Sequence, residues 1–309
     1  MSQLGQLFQP HFLQRLESLR LAARKPTWGN RAGGAFTINR RGTSLEFADF
    51  TEYTWGDDFR NIDWNLYGRL EKLFVKTYKE EVELNVYLIV DATASMGLPK
   101  EDKKFAFVRD LATALAYVGL SNHNIVRIAA YGGRTKRGRG DQRILQTPSA
   151  SSRDGIFAQR HFLDELQPLG EIDFAKWVER YCYAVRAFGG TAIVLSDWMM
   201  DQESWTRGLN FLRFRNLDVK VIQVLSRWEL EPQRMLGHGL VVDAETGRAM
   251  SLRTGHLGQS QLMAAVQEHN ERLRRFCYTN HLGFAQASTR SSVEDFVLRE
   301  LLRLGLLGR

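Results

Sequence analysis

Apolar and polar positions follow a βα rhythm through most of the chain. From Leu84 to Gly97 it reads LNVYLIVDATASMG, with Val86, Leu88 and Val90 alternating with Tyr87 and Ile89 and the apolar run ending at Asp91. That pattern predicts a strand covered on both faces of a mostly parallel sheet. Lys103 to Leu120 carries Phe105, Val108, Leu111, Leu115 and Val118 on one face and predicts an amphipathic helix. Ile125 to Tyr131 and Ile144 to Thr147 read as strands, Gly155 to Leu166 and Phe174 to Ala187 as helices, and Thr191 to Ser196 as a strand closed by Asp197. A helix over Glu203 to Phe214 and a strand over Val219 to Leu225 follow. Leu240 to Val242 and Ala249 to Leu252 bracket a hairpin turn, and Gln259 to Tyr278 is a long helix. Phe284 to Ala287 is a short strand, and Val293 to Leu307 a final helix. Strands alternating with helices predict a doubly wound α/β sheet.

Upstream the pattern changes. Phe12, Leu16, Leu19 and Ala23 recur at helical spacing within Leu7 to Ala23, with Pro10 suited to a first turn. Lys25 to Gly42 is rich in glycine and basic residues and reads as an irregular connection. It contains neither G-x-G-x-x-G nor a glycine-rich run ending in G-K-S or G-K-T, so it is not a phosphate loop. Thr43 to Glu83 packs Phe47, Phe50, Tyr53, Trp55, Phe59, Trp64 and Tyr67 among Asp57, Asp58, Asp63, Arg60 and Arg69. Aromatics at that density are expected to bury large areas. A turn at Trp55 to Asp58, a short helix around Phe59 to Arg69 and a strand over Leu73 to Tyr78 are expected. The three acids read either as catalytic or metal-binding groups, or as caps and salt-bridge partners of Arg60 and Arg69 that lock the segment onto the sheet. The second reading is favoured, because no histidine lies nearby. Residues 1–83 are thus expected to form an extension packed on a main domain at 84–309.

The candidate chemistry follows the first strand of that domain. Asp91, Thr93 and Ser95 recur at every second position, which puts one carboxylate and two hydroxyls on one side at the carboxyl end of a strand, where open α/β sheets bind ligands. Three oxygens there could seat a hard cation such as Mg²⁺. The alternative is that Asp91 caps the next helix and the hydroxyls satisfy loop amides. The pattern resembles the metal-ion-dependent adhesion site of von Willebrand factor A domains, D-x-S-x-S, with Thr93 in the first hydroxyl position. A wider match includes Glu46-Phe47, Glu52-Tyr53, Gly56-Asp57-Asp58, Arg60, Ile62-Asp63-Trp64, Arg69, Leu73, Val75-Lys76 and Glu80-Glu81. Running into the Asp91 motif, this succession resembles the bacterial domain-of-unknown-function 58 family. The likeness is strongest over about residues 30 to 100 and is traceable through Asp243-Ala244-Glu245-Thr246-Gly247 and the C-terminal helices.

The resemblance implies a von Willebrand A-like (Rossmann-like) domain acting with MoxR-type AAA+ ATPases in chaperone-like maturation or activation of other proteins. In such metal sites a late aspartate closes the shell, and Asp197 matches it by position, whereas Asp201 lies further along the loop. The family threonine is expected within Leu169 to Asp173, where Ile172 stands in the hydroxyl position. An aliphatic side chain cannot ligate a cation, so the site has lost a ligand, recruited Glu171 or Asp173, or ceased to bind metal.

Composition narrows the remaining choices. The 309 residues are 44% hydrophobic and 25% charged, ordinary values for a globular protein. No apolar run approaches the ~20 residues of a membrane helix, and the first residues lack a basic start followed by an apolar core. The resemblance is therefore to the shorter, soluble members of a family that often carries N-terminal membrane spans, and a cytoplasmic location is expected. Cys182 and Cys277 lie on predicted helices without metal-ligand spacing and are expected to be buried free thiols. The net charge is +7, and the densest basic segment is Arg134 to Arg143. That segment could meet phosphates, but without aromatics between Gly132 and Gln146 it reads first as a solvated turn. The seven histidines are scattered and no nucleophile elbow is present. The expected function is a non-enzymatic protein-interaction module, an adaptor for a MoxR-type AAA+ ATPase and a client protein. Its candidate metal residues are Asp91, Thr93, Ser95 and Asp197, with Mg²⁺ as the ion. Two alternatives are a metal-dependent hydrolase using Asp91 and Asp197, and a nucleic-acid-associated protein using Arg134 to Arg143.

Overall fold

The computed structural model describes residues 8–22, 45–56, 59–80, 83–98, 100–135, 144–230, 239–242, 249–252 and 256–308. Residues 1–26 and 84–309 form one compact unit and residues 27–83 a second. The N-terminal helix therefore belongs to the main unit, not to the extension that the sequence pattern assigned it to.

The main unit is organised on six strands: β1 (Asn85–Asp91), β2 (Ile125–Tyr131), β3 (Leu145–Gln146), β4 (Thr191–Ser196), β5 (Asp218–Leu225) and β6 (Gly283–Ser288). They lie in the order β3-β2-β1-β4-β5-β6. All neighbours are parallel except β3, which runs antiparallel to β2. The helices are α1 (Pro10–Glu17), α2 (Lys104–Ser121), α3 (Gly155–Glu165), α4 (Phe174–Ala184), α5 (Gln202–Phe214) and α6 (His256–Thr279), with a short terminal helical segment from Val293 to Leu301. The period of two in β1 divides the core. Leu88 and Val90 face a layer that includes Val108, Leu111 and Leu115 of α2 and Phe296 and Leu301 of the terminal segment. Tyr87 and Ile89 face the opposite layer, with Trp177 and Val178 of α4, Trp205 and Leu209 of α5, and Leu273 and Cys277 of α6. Helices on both faces of a mostly parallel sheet complete the doubly wound architecture expected from the pattern, as the von Willebrand A-like resemblance also implied.

The two ends of the chain depart from the expected helices. α1 stops at Glu17 because the Ser18 hydroxyl donates to the Arg15 carbonyl at 2.8 Å, competing with further helical bonding. Arg20 and Leu21 then pair antiparallel with Gly308 and Leu307, so Leu307 is extended where the periodicity predicts helix. Phe12, Leu13, Leu16, Leu19 and Leu21 all enter the α2-side core.

In the second unit, Leu45–Glu52 and Phe74–Glu80 form an antiparallel pair with a register shift between Phe47 and Asp49. The first of these strands is absent from the sequence reading. Between them, a short 3₁₀ turn (Phe59–Asn61) precedes a helix over Trp64–Leu70. Asp63 caps that helix by accepting from the amides of Asn65 at 2.9 Å and Leu66 at 3.1 Å. The expectation that the aromatics here are buried fails for several of them, since Trp55, Phe59 and Trp64 are exposed. Asp57, Asp58 and the Lys25 to Gly42 connection lie outside the described residues, as does the turn between the strands at 239–242 and 249–252, which pair as expected.

Candidate functional site

The strand order reverses between β1 and β4, and such a switch point opens a crevice at the carboxyl ends of the strands. Three loops meet there. The Leu169 amide donates to the Ala92 carbonyl at 2.9 Å, the Ala94 amide to the Gly170 carbonyl at 3.0 Å, and the Gly133 amide to the Leu169 carbonyl at 2.8 Å. The close approach depends on Gly132 and Gly133 at φ of +74° and +73°. A Cβ on Gly132 would lie 2.8 Å from the Thr93 amide nitrogen. Met96, wholly buried, pins the tight turn Ala94–Gly97 to the core.

Asp91 is the centre of the arrangement and is itself buried. Its Oδ1 accepts from the Thr93 amide at 2.9 Å and the Thr93 hydroxyl at 2.7 Å. Its Oδ2 accepts from the Tyr131 phenol at 2.7 Å and the Ser196 hydroxyl at 2.6 Å. The phenol comes from the residue paired with Asp91 in the β1–β2 register, and the Ser196 hydroxyl from the end of β4. The Thr93 and Ser95 hydroxyls lie 3.1 Å apart. Burial, and then the negative charge of Asp197, push the Asp91 carboxyl up to about 6, against the Ser196 and Thr93 hydrogen bonds that hold it down.

A second cluster adjoins the first. The Lys104 ammonium, from the first turn of α2, donates to Asp197 Oδ2 at 2.8 Å and to Glu229 Oε1 at 2.6 Å. Its side chain is 0% exposed and that of Asp197 2%. The remaining oxygens are engaged too. Asp197 Oδ1 accepts from the Met199 amide at 3.0 Å, and Glu229 Oε2 from the Ser226 amide at 2.6 Å. Burial works against the charge on Lys104, but the two carboxylates outweigh it and raise its pKa above the ordinary value. Burial likewise raises Glu229, with Lys104 pulling the other way.

The structure brings Asp91, Thr93 and Ser95 together, as their spacing requires. Asp197 stands at the neighbouring strand end, but the group that reaches Asp91 from there is Ser196, one residue earlier and on the other side of the extended backbone. Ile172 lines the same crevice, of about 500 Å³, with Asp91, Thr93 and Asp197. Asp173 caps α4 through the Lys176 amide, and Asp201 caps α5 through the amides of Glu203 and Ser204. Tyr131, Ser196, Lys104 and Glu229 are the participants that sequence reasoning missed. Lys104 had a signal: it stands four residues before Val108 and seven before Leu111, on the apolar face of α2, where a charge must find a partner. Of the basic segment, Arg134 is bonded to Gln167 at 3.2 Å, and residues 136–143 lie outside the described set.

A divalent cation does not fit these donors as they are arranged. Mg²⁺ is held in near-octahedral oxygen geometry, usually through one or two carboxylates. A carboxylate offers about four acceptor sites; those of Asp91 are filled by four protein donors, and both oxygens of Asp197 are engaged. Ile172 supplies no oxygen. Among the described residues no group of three or more His, Cys, Asp or Glu side chains is placed to hold a metal ion.

Topology and site together define a von Willebrand A-like α/β domain whose switch-point crevice is built around a buried aspartate. The family model described as "Protein of unknown function DUF58" matches residues 49–272, more than half of the chain, and the chain belongs to that family. No curated protein matches it. Among solved structures, a conserved hypothetical protein BatB from Bacteroides thetaiotaomicron is similar at 14% identity and a TM-score of 0.42, over 72% of this chain and 98% of that one. A von Willebrand factor type A protein from Catenulispora acidiphila is similar at 14% identity and a TM-score of 0.35, over 74% of this chain and 50% of that one. No helix among the described residues is long and apolar enough to cross a membrane.

Proposed function

We propose that this chain is a non-enzymatic protein-interaction module, an adaptor that works with a MoxR-type AAA+ ATPase in the maturation or activation of a client protein. The observation that carries the reading is the state of the switch-point crevice. Its hydroxyls and carboxylates are bonded to one another, and among the described residues none of its hydroxyls meets an imidazole that could act as a base. A crevice so arranged is chemically quiet, and it has an exposed apolar rim at Leu169 and Ile172. Family membership supports an interaction role, and the pairing with an AAA+ ATPase comes from the family resemblance.

The test is capture of the tagged protein from native lysate of the source cells, followed by mass spectrometry and by ATPase assays with the recovered partner. The expected result is an AAA+ ATPase recovered with the wild type and lost with Ile172→Asp, a variant whose melting temperature should be unchanged because the side chain is at the rim. Recovery of nucleic acid alone, or hydrolysis of esters or phosphoesters that disappears with Asp91→Ala, would overturn the reading.

A further inference from the structure

We propose that the ammonium of Lys104, held inside the core, occupies the Asp197 oxygen that a divalent cation in this crevice would need, so that the adhesion-type site is independent of metal. The inference goes beyond the adaptor reading and does not need a partner for its test.

Three observations carry it. First, Lys104 is a wholly buried ammonium held between two carboxylates, at 2.8 Å from Asp197 and 2.6 Å from Glu229. An unpaired ammonium in such a place would cost several kcal/mol, so it is retained only because carboxylates meet it. Asp197 is the residue whose position matches the late aspartate of a metal site, and its Oδ2 faces Lys104 instead. Second, the charge of Asp91 is spread over four donors, two of them, Tyr131 and Ser196, on neighbouring strands. A cation entering there would have to displace donors already at hydrogen-bond distance. Third, the loop that would bring the remaining hydroxyl brings Ile172, which has no oxygen to offer. A divalent ion needs oxygens that are spare, and the Thr93 and Ser95 hydroxyls beside Asp91 are 3.1 Å apart and bonded to each other.

This arrangement leads to an ion-exchange experiment on the purified full chain. Mg²⁺ and Mn²⁺ are titrated calorimetrically and by thermal melting into wild type, Lys104→Met and Lys104→Arg. The expected result is no binding heat and no shift in Tm for the wild type and for Lys104→Arg, which keeps the charge. Lys104→Met leaves Asp197 and Glu229 facing each other without a cation. It should melt lower than wild type and regain about 2 °C or more in millimolar Mn²⁺ or Mg²⁺. Saturable heat with wild type, abolished by Asp91→Asn, would overturn the proposal. So would a folded Lys104→Met that gains nothing from either metal. If Lys104→Met does not fold, the wild-type titration alone decides. Loss of the adaptor reading would leave these outcomes unchanged, so the two can fail separately.

Discussion

Replacing Tyr131 with phenylalanine removes one donor from Asp91 together with the phenol oxygen that lies beside the Ser196 hydroxyl. The ring stays packed between Phe174 and Trp177, whose centroids lie 5.0 and 5.7 Å away, so little cavity is created. What is lost is a 2.7 Å hydrogen bond from a buried phenol to a buried carboxylate. Bonds to charged groups contribute about 1.5–3 kcal/mol, while a bond to the neutral acid contributes about 1 kcal/mol. The cost therefore depends on whether Asp91 is ionised. Its folded-state value is raised from 3.8 to about 6, first by burial and then by Asp197. The group accordingly favours the folded state most below its unfolded value, and this contribution is lost as pH rises through about 6. Tyr131→Phe removes a donor to the ionised form, raises that value further and extends the loss upward in pH. The gap in stability between wild type and variant should thus be small at about pH 5 and widest at about pH 8. In a domain of this size the larger cost corresponds to roughly 3–12 °C in Tm. Thermal melts of both proteins across that range provide the assay. An equal loss at both ends, or a gap that narrows toward high pH, would refute the assignment of Tyr131 as a donor to an ionised Asp91.

Other consequences are quickly checked. Gly132→Ala places a Cβ 2.8 Å from the Thr93 amide at a φ of +74°; urea denaturation should show a loss of about 1–3 kcal/mol, and an unchanged midpoint would contradict the close loop packing. Asp201→Ala removes a cap whose Oδ2 accepts from Glu203 and Ser204, and should cost about 1 kcal/mol by the same measurement while leaving metal titrations untouched. Burial pushes the Cys182 thiol up to about 11 and the Cys277 thiol up to about 12. Both should resist a thiol-specific reagent near neutral pH until denaturant is added, and rapid labelling of the native protein would show that one of them is accessible.

Most of the fold was legible because the sheet is buried on both faces. A strand such as TAIVLS, with all six residues buried in β4, has no choice of which side to hide, and its ends fall where the apolar run ends. The same clarity held for β2 and for the helices that cover the sheet. It failed where the pairing partner is remote. Leu21 and Leu307 belong to opposite ends of the chain, and a two-residue pairing between them leaves no periodic trace that competes with the helical spacing around it. In residues 27–83 the density of aromatic rings was read as burial, but composition does not say which way a ring faces. Trp55, at 98% exposure, follows a strand and sits in a turn, where there is little structure to cover it.

The site was legible in its local half only. Asp91, Thr93 and Ser95 are two residues apart, and a bend at the end of a buried strand is enough to bring them together. The other half is assembled by the sheet. Ser196 reaches Asp91 across 105 residues of sequence, and Lys104 reaches Glu229 across 125. Reading D-x-T-x-S by itself leaves a carboxylate and two hydroxyls apparently spare, and spare oxygens invite a metal ion. The tertiary structure changes the chemistry by supplying buried donors from elsewhere: a phenol and a hydroxyl aimed at the Asp91 oxygen that the motif had left open, and an ammonium aimed at Asp197. A pattern of ligand types is therefore a statement about acceptors, and whether it binds a cation is decided by the donors that the fold brings to meet them. In this chain the decisive donor stands on the apolar face of α2, where Lys104 heads the row that continues through Val108, Leu111 and Leu115. A lysine at the start of such a row has to be paired inside the protein, and the nearest carboxylate at the strand ends is the one that a metal would have needed.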